Sequence, residues 1–113
     1  MEEKTIVERE REIEETILKV EDLGMTVIYK GVKMEAHKAF VRKVHSLAQR
    51  AGIDNMGGGI WRVRDKLPRV IKNKVKESYG TWCEFCKAIE SIESSYIRDK
   101  LQEDKEEKEE ELL

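Results

Sequence analysis

Apolar positions recur at helical spacing along most of the chain and predict five helices. The first spans residues 2–23, where an apolar side chain returns every seven positions on an otherwise charged helix. Its apolar stripe consists of Ile6, Ile13, Ile17, Val20 and Leu23. A stripe this narrow fits either the edge of a core or a coiled-coil seam, for which about three heptads is the lower limit.

Four further helices follow the first along the chain. They are predicted over residues 34–50, 55–67 and 68–76, and from Thr81 onward. The apolar positions of the last helix continue at helical spacing as far as Tyr96.

Residues with known terminal preferences stand at the helix boundaries. Gly24 and Gly52 favour helix ends, because glycine accepts the left-handed backbone that follows a last turn. Pro68 suits the first position of a helix, where its missing N–H is no loss. Thr81 and Glu84 have the spacing of a capping box, in which the threonine oxygen accepts a hydrogen bond at the helix start.

The third predicted helix begins with an unfavourable glycine run. Residues 57–59 are all glycine, and each costs about 1 kcal/mol relative to alanine inside a helix. The start of that helix should therefore be weak, or the glycines permit the close approach of another backbone.

Strand-like sequence is scarce. Residues 26–30 form one such segment, which is too short to imply a sheet, and Gly31 then turns the chain. Charged residues make up 41% of the chain and aromatic residues 6%, which favours solvated helices. The sequence therefore predicts an all-α fold, a small bundle of about five helices. We expect its core at Ile17, Leu23, Phe40, Val44, Leu47, Ile60, Val63, Leu67, Ile71, Phe85, Ile89 and Ile92.

The net charge of −2 hides a segregation along the chain. Residues 1–24 carry a net charge of −5, residues 25–81 carry +9 and residues 82–113 carry −6. One interpretation is charge complementarity within the chain or between subunits. The other is a patch on residues 25–81 that faces nucleic acid.

Charge and apolar content together suggest three parts. Residues 1–24 form a charged amphipathic helix, and residues 25–101 form a helical domain. Residues 102–113 are acidic and have almost nothing to bury, so we expect them to fray or to be disordered.

A Trp-Cys-x-x-Cys motif at residues 82–86 is the one candidate for thiol chemistry. The start of a helix would lower the pKa of Cys83, but Glu84 opposes a thiolate and no strand precedes the motif. His37 and His45 are eight residues apart, unlike a zinc finger, and are interpreted as helix-surface residues. We therefore interpret both cysteines as structural or incidental, with a redox thiol and a metal site as weaker alternatives.

No other pattern indicates catalysis. The glycine run lacks the lysine and the preceding strand of a phosphate-binding loop, and no nucleophile–base set has a recognisable spacing. We expect neither enzyme activity nor a cofactor nor a small-molecule substrate. Two cysteines, no apolar run near the ~20 residues of a membrane span, and no visible signal peptide favour a cytoplasmic protein that does not contact membranes.

Three segments in order resemble Gag polyproteins of Gypsy-type LTR retrotransposons. They read AFVRKVHSLAQRAGID, IWRVRDKLPRVIKNKV and TWCEFCKAIESI, and the resemblance covers roughly residues 25–97. The first segment, with the residues before it, also resembles the major homology region of retroviral capsids. It differs by one extra residue in the Gly-to-Glu spacing and by Val44 in place of the usual Phe. The matching positions are Gly31, Glu35, Phe40, Val44 and Leu47.

The resemblance implies the fold of a capsid C-terminal domain, a helical bundle shared with SCAN domains and the neuronal Arc protein. It implies a structural protein that self-associates into dimers and capsid-like shells, with a second copy as partner and weak RNA association. The chain would be an excised domain or a domesticated remnant of a transposon.

In that family the helix after the major homology region often makes the two-fold contact, which places the interface on residues 55–67. Trp61 is then either an exposed anchor or a core residue. The expected interface residues are Asn55, Met56, Trp61, Arg64 and Asp65. Nucleic-acid binding through residues 25–81 is the alternative function, and thiol redox activity is a weaker one.

Overall fold

The computed structural model describes the backbone of residues 6–111 and the side chains of residues 8 and 10–106. Within this part of the chain, six α-helices accompany one antiparallel pair of strands. The helices are α1 (Ile6–Glu15), α2 (Ala36–Ala51), α3 (Ile60–Asp65), α4 (Arg69–Lys72), α5 (Trp82–Glu90) and α6 (Ser94–Glu111). The strands are β1 (Thr26–Tyr29) and β2 (Val32–Glu35). The side chain of Ile6, a member of the predicted stripe, lies outside the described residues.

The hairpin shows that the prediction of an all-α fold is wrong. Tyr29 pairs with Val32 across a two-residue turn, in which Lys30 and Gly31 have φ angles of +49° and +80°. Both positive angles are those of a type I′ turn, whose twist matches that of the strands it joins. The turn at Gly31 is therefore confirmed. Met34, predicted to open a helix, lies in β2 instead, because this turn brings residues 32–35 back along β1.

Helix α1 ends eight residues earlier than its apolar period predicts. The hydroxyl of Thr16 donates a hydrogen bond to the carbonyl oxygen of Glu12 (2.8 Å), a local bond that competes with helix propagation. The chain then leaves the helical phase. Ile17 and Val20 are 58% and 53% exposed, and Leu18 is buried in their place. The prediction that Ile17 belongs to the core is therefore wrong.

The core lies where α2 packs on α5 and α1. Of the predicted core residues, Ile17 is exposed and Leu47 is partly buried against the core, while all the others are buried. Further buried side chains that were not on the predicted list include Ile13, Leu18, Val41, Trp82 and Ile97.

Two of the four terminal signals act as expected, and two do not. Gly24 does not end the first helix, because α1 has already ended at Glu15. Gly52 ends α2 with a φ angle of +74°, and the hydroxyl oxygen of Thr81 accepts a hydrogen bond from the backbone N–H of Glu84 (3.2 Å). Pro68, however, precedes α4 with extended ψ and is not its first residue. An extended residue cannot lie inside the helix, so the helix begins at Arg69.

Both the third and the fourth helix are shorter than predicted. Residues Gly57–Gly59 form a single 3-10 turn, and α3 begins only at Ile60. A Cβ atom on Gly57 would collide with the backbone carbonyl of Tyr79 and lie 2.9 Å from that of Gly80. The expected weak start and the expected close backbone approach are both confirmed, and this approach occurs within one chain.

The last predicted helix is divided in two. Its α-helical backbone stops at Glu90, and the side chain of Ser91 donates a hydrogen bond to the carbonyl oxygen of Ala88 (2.9 Å). After this break α6 runs to Glu111, so the acidic segment is helical here. Its expected fraying stays a prediction.

Candidate self-association surface

Helix α3 has one buried and one exposed side. Ile60 and Val63 are 1% and 2% exposed, whereas Trp61 is 55% exposed. Successive helical residues differ by about 100° in direction, so Trp61 points away from the core that its neighbours enter. Trp61 is therefore exposed and is not a core residue.

The exposed ring of Trp61 has a defined electrostatic neighbour. The guanidinium of Arg62 lies 5.4 Å from the centre of the ring, within the range of a cation–π contact. The same guanidinium donates a hydrogen bond to the Glu14 carboxylate (2.9 Å), and Lys66 donates one to the Glu14 carbonyl (3.0 Å). The end of α1 is thereby tied to α3, which restricts the positions that Arg62 and the ring can adopt.

Met56 extends the apolar surface at the N-terminal side of α3. Its side chain is 63% exposed, and Asn55 beside it is exposed as well. Gly58 has no other atom within 4 Å of the position of a Cβ, so the surface between Met56 and Trp61 is open. A cavity of about 310 Å³ adjoins it, large enough for a side chain. Its walls include the apolar side chains of Ile13, Ile53, Met56, Val63 and Trp82 and the charged side chains of Glu10, Glu14 and Arg62.

Arg64 and Asp65, the remaining expected interface residues, have partners within their own chain. The Nε atom of Arg64 donates a hydrogen bond to the carbonyl oxygen of Lys76 (2.7 Å). The carboxylate of Asp65 lies 3.9 Å from the ammonium of Lys72. A contact between Arg64 and Asp65 of two copies stays a prediction, and it would have to compete with these bonds.

The residues that match the major homology region lie in the hairpin and the core. Gly31 is in the turn, and Glu35 immediately precedes α2. Phe40 and Val44 are buried, and Leu47 is partly buried. Phe40, Val44 and Leu47 therefore pack in or against the core. None of the five residues lies on the exposed side of α3.

His37 is buried, so its interpretation as a helix-surface residue is wrong. The side chain is 0% exposed, and its Nε2 donates a hydrogen bond to the carbonyl oxygen of Ile92 (3.1 Å). Its Nδ1 has no hydrogen-bond partner and lies 3.7 Å from the Glu35 carboxylate. Burial lowers the pKa of His37 below the ordinary value of 6.5. The sequence gives no signal for a bond between residues 55 positions apart.

The cysteine motif lies against α2. Cys86 is buried, and this burial raises the pKa of its thiol to about 12. Cys83 is half-buried, and both cysteines are free. Within the part of the chain that is described, no group of three or more His, Cys, Asp or Glu side chains is arranged to hold a metal. A thiol that stays protonated at neutral pH is a poor nucleophile.

Comparison of the chain with protein-family models, with curated proteins and with solved structures gives no match. The resemblance to Gag proteins therefore stays a prediction. Among the described residues, no helix is both long enough and apolar enough to cross a membrane.

Proposed function

We propose that this chain is a structural self-association domain of a Gag-like or capsid-like protein, and that it dimerises through the exposed side of α3. One observation carries the proposal: Trp61 is 55% exposed on a short helix whose opposite side is buried. Tryptophan is enriched among the residues that dominate protein interfaces.

A two-fold dimer suits this surface. In such a dimer the same patch meets its own copy, so Trp61 of one copy would lie against Trp61 or Met56 of the other. The open surface over Gly58 permits the two backbones to approach. The cavity beside Met56 would receive an apolar side chain from the partner, which adds buried apolar area.

The partner and the compartment of the protein follow from this function. Its partner is a second copy of the chain, with weak RNA association through the basic segment, and it acts in the cytoplasm, where free thiols such as Cys83 and Cys86 persist. The thiol-redox alternative loses support because the Cys86 thiol is buried and its pKa is raised to about 12.

The first test is the replacement Trp61→Ala, followed by sedimentation velocity over a range of concentrations. A central aromatic anchor contributes at least about 2 kcal/mol to association. We therefore expect the dissociation constant of the dimer to rise at least about 30-fold, with an unchanged helical signal in circular dichroism.

Ile28→Ala is the matched control. Ile28 is the most exposed large apolar residue of the described chain, at 71%, and it lies on the hairpin. This variant should dimerise as the wild type does. A wild type that stays monomeric at high concentration would refute the proposal. Equal dimerisation of the Trp61→Ala variant and the wild type would move the interface away from α3.

A further inference from the structure

A strongly basic segment of the chain includes α4. Residues 62–76 contain seven cationic side chains and one carboxylate, that of Asp65. The hydrogen bond from Arg64 to the carbonyl of Lys76 holds the two ends of this segment together. We call the seven cationic residues the basic surface: Arg62, Arg64, Lys66, Arg69, Lys72, Lys74 and Lys76.

Most of the positive charge on the basic surface has no carboxylate beside it. Among the described side chains, only Arg62 and Lys72 lie within 4 Å of a carboxylate, at 2.9 Å and 3.9 Å. Lys74 lies instead 4.4 Å above the ring of Tyr96. Arg69 and Lys76 are exposed. The surface therefore attracts an anionic partner.

The distal part of α6 has the opposite charge. Residues 102–111 contain seven carboxylates and two lysines, a net charge of −5. None of the described side chains in this segment is buried. Among the described residues, Leu101 is the last that packs against the core. A helix that is polar all round occurs where it bridges between separate bodies or where pairs along its own surface stabilise it, such as Gln102 with Glu106 here. We call residues 102–111 the acidic end.

The acidic end lies beyond the part of α6 that passes the basic surface of its own chain. Helix α6 passes the basic surface near Tyr96, where Lys74 contacts the ring. A helix rises 1.5 Å per residue, so Glu111 lies roughly 22 Å farther along the axis. Helix α6 is unbroken from Ser94 to Glu111 and does not fold back on itself, which leaves the acidic end available to another molecule.

We propose that the acidic end of α6 in one copy docks on the basic surface of a second copy. This contact joins two different surfaces, and contacts of that kind extend into rings or filaments. It deepens and rests on the proposed self-association function, because it would link the two-fold dimers into a larger assembly. It uses residues other than Trp61, so the two contacts can be tested apart.

The test uses full-length chains that carry Trp61→Ala, so that the α3 contact is weakened. A surface-reversed variant adds Arg69→Glu and Lys76→Glu, and a tail-reversed variant adds Asp104→Lys and Glu106→Lys. Sedimentation velocity is measured at about 50 mM and about 300 mM NaCl, across which the Debye length falls more than twofold. The chain with Trp61→Ala alone should associate at low salt and at least about tenfold more weakly at high salt.

Mixing the two reversed variants is the decisive step. Each alone should lose the salt-sensitive association, because its acidic end and its basic surface no longer attract. In the mixture, the unchanged basic surface of one variant meets the unchanged acidic end of the other, and association should return. Lys33→Glu with Lys43→Glu makes the same charge change as the surface-reversed variant, at exposed positions outside the basic surface, and should leave association intact.

Three results would overturn the docking. They are association that does not respond to salt, a mixture that fails to associate, and a monomeric chain whose basic surface instead binds a labelled single-stranded RNA. If the wild type binds the RNA and the surface-reversed variant does not, the RNA binds at the basic surface. That result would assign the surface to nucleic acid. If Trp61→Ala alone has no effect but the mixture associates, the α3 dimer fails and the docking stands.

Discussion

The α3 and α5 regions each place a tryptophan in the first two residues of a helix, yet Trp61 is 55% exposed and Trp82 is 2% exposed. Residues three and four positions farther along a helix share the face of the first. For Trp82 these are Phe85 and Cys86, and Phe85 meets the indole edge-on at 6.1 Å between ring centres.

For Trp61 the corresponding neighbours are Arg64 and Asp65, which are charged and bonded elsewhere in the chain. The comparison teaches that the helical neighbours of a tryptophan, more than its own apolarity, determine whether it enters the core. An aromatic ring among charged neighbours is left exposed to solvent, whereas one among apolar neighbours packs in the core.

The largest expected effect is a difference in unfolding free energy between the alanine variants of the two tryptophans. Trp82→Ala should lower the free energy of unfolding by about 3–5 kcal/mol, because it empties a buried site. Trp61→Ala should change that free energy by less than about 0.5 kcal/mol, since its ring is solvated. Urea unfolding of both variants at a concentration where the wild type is monomeric measures the difference. Similar losses in the two variants would contradict the comparison.

A smaller effect is expected at the contact between the two regions. Gly57→Ala places a Cβ atom against the carbonyl oxygens of Tyr79 and Gly80, just before α5. We expect a loss of about 1–3 kcal/mol in unfolding free energy from this overpacking. Gly58→Ala is the control, because no atom lies within 4 Å of its Cβ position. If both variants unfold alike, the close approach does not constrain the fold.

The smallest expected effect is a pH dependence of the unfolding free energy that arises at His37, a buried residue of α2. Burial lowers the pKa of His37 when the protein is folded. The hydrogen bond to the Ile92 carbonyl and the carboxylates of Glu35 and Glu90 oppose this lowering, and Lys38 adds to it. As the pH falls below 6.5, the pKa of histidine in the unfolded chain, His37 is protonated more fully in the unfolded state than in the folded state. Acid therefore favours unfolding. Stability should therefore decrease as the pH falls from about 7.5 through about 6.5 and below.

Urea midpoints at several pH values measure this slope, with His37→Gln and His45→Gln as the paired variants. The first substitution removes the buried imidazole and should flatten the dependence in this range. His45 is only half-buried, and its replacement should leave the slope in place. A wild-type midpoint that does not change between neutral and mildly acidic pH would contradict the prediction.

Much of the core could be predicted because it depends on local periodicity. Phe40 and Val44 on α2, and Phe85 and Ile89 on α5, follow one helical face without interruption, and all four are buried. The exposure of Trp61 follows from the same geometry, since its neighbours Ile60 and Val63 take the inward side.

The sequence could not predict features that depend on distant partners or on weak local competition. Strand β2 mixes Lys33 with apolar residues and becomes a strand only through the turn that pairs it with β1. At the early end of α1 the local competitor is the hydroxyl of Thr16, which donates a hydrogen bond to the carbonyl oxygen of Glu12. The burial of His37 depends on a carbonyl from the far side of the core. Serine at positions 91 and 94 was the available signal for the break between α5 and α6.

The two-stranded hairpin also bears on aggregation. A sheet of two strands has an open edge on each side, and open edges are the usual starting points of fibre growth. Here each strand has only four residues, and Lys33 lies opposite the exposed Ile28 in the register. Pairing of β2 with β2 of another copy would bring the Lys33 side chains of the two copies close together. The β2 edge therefore resists fibre growth by edge-to-edge addition, even though this part of the chain leaves apolar side chains in water.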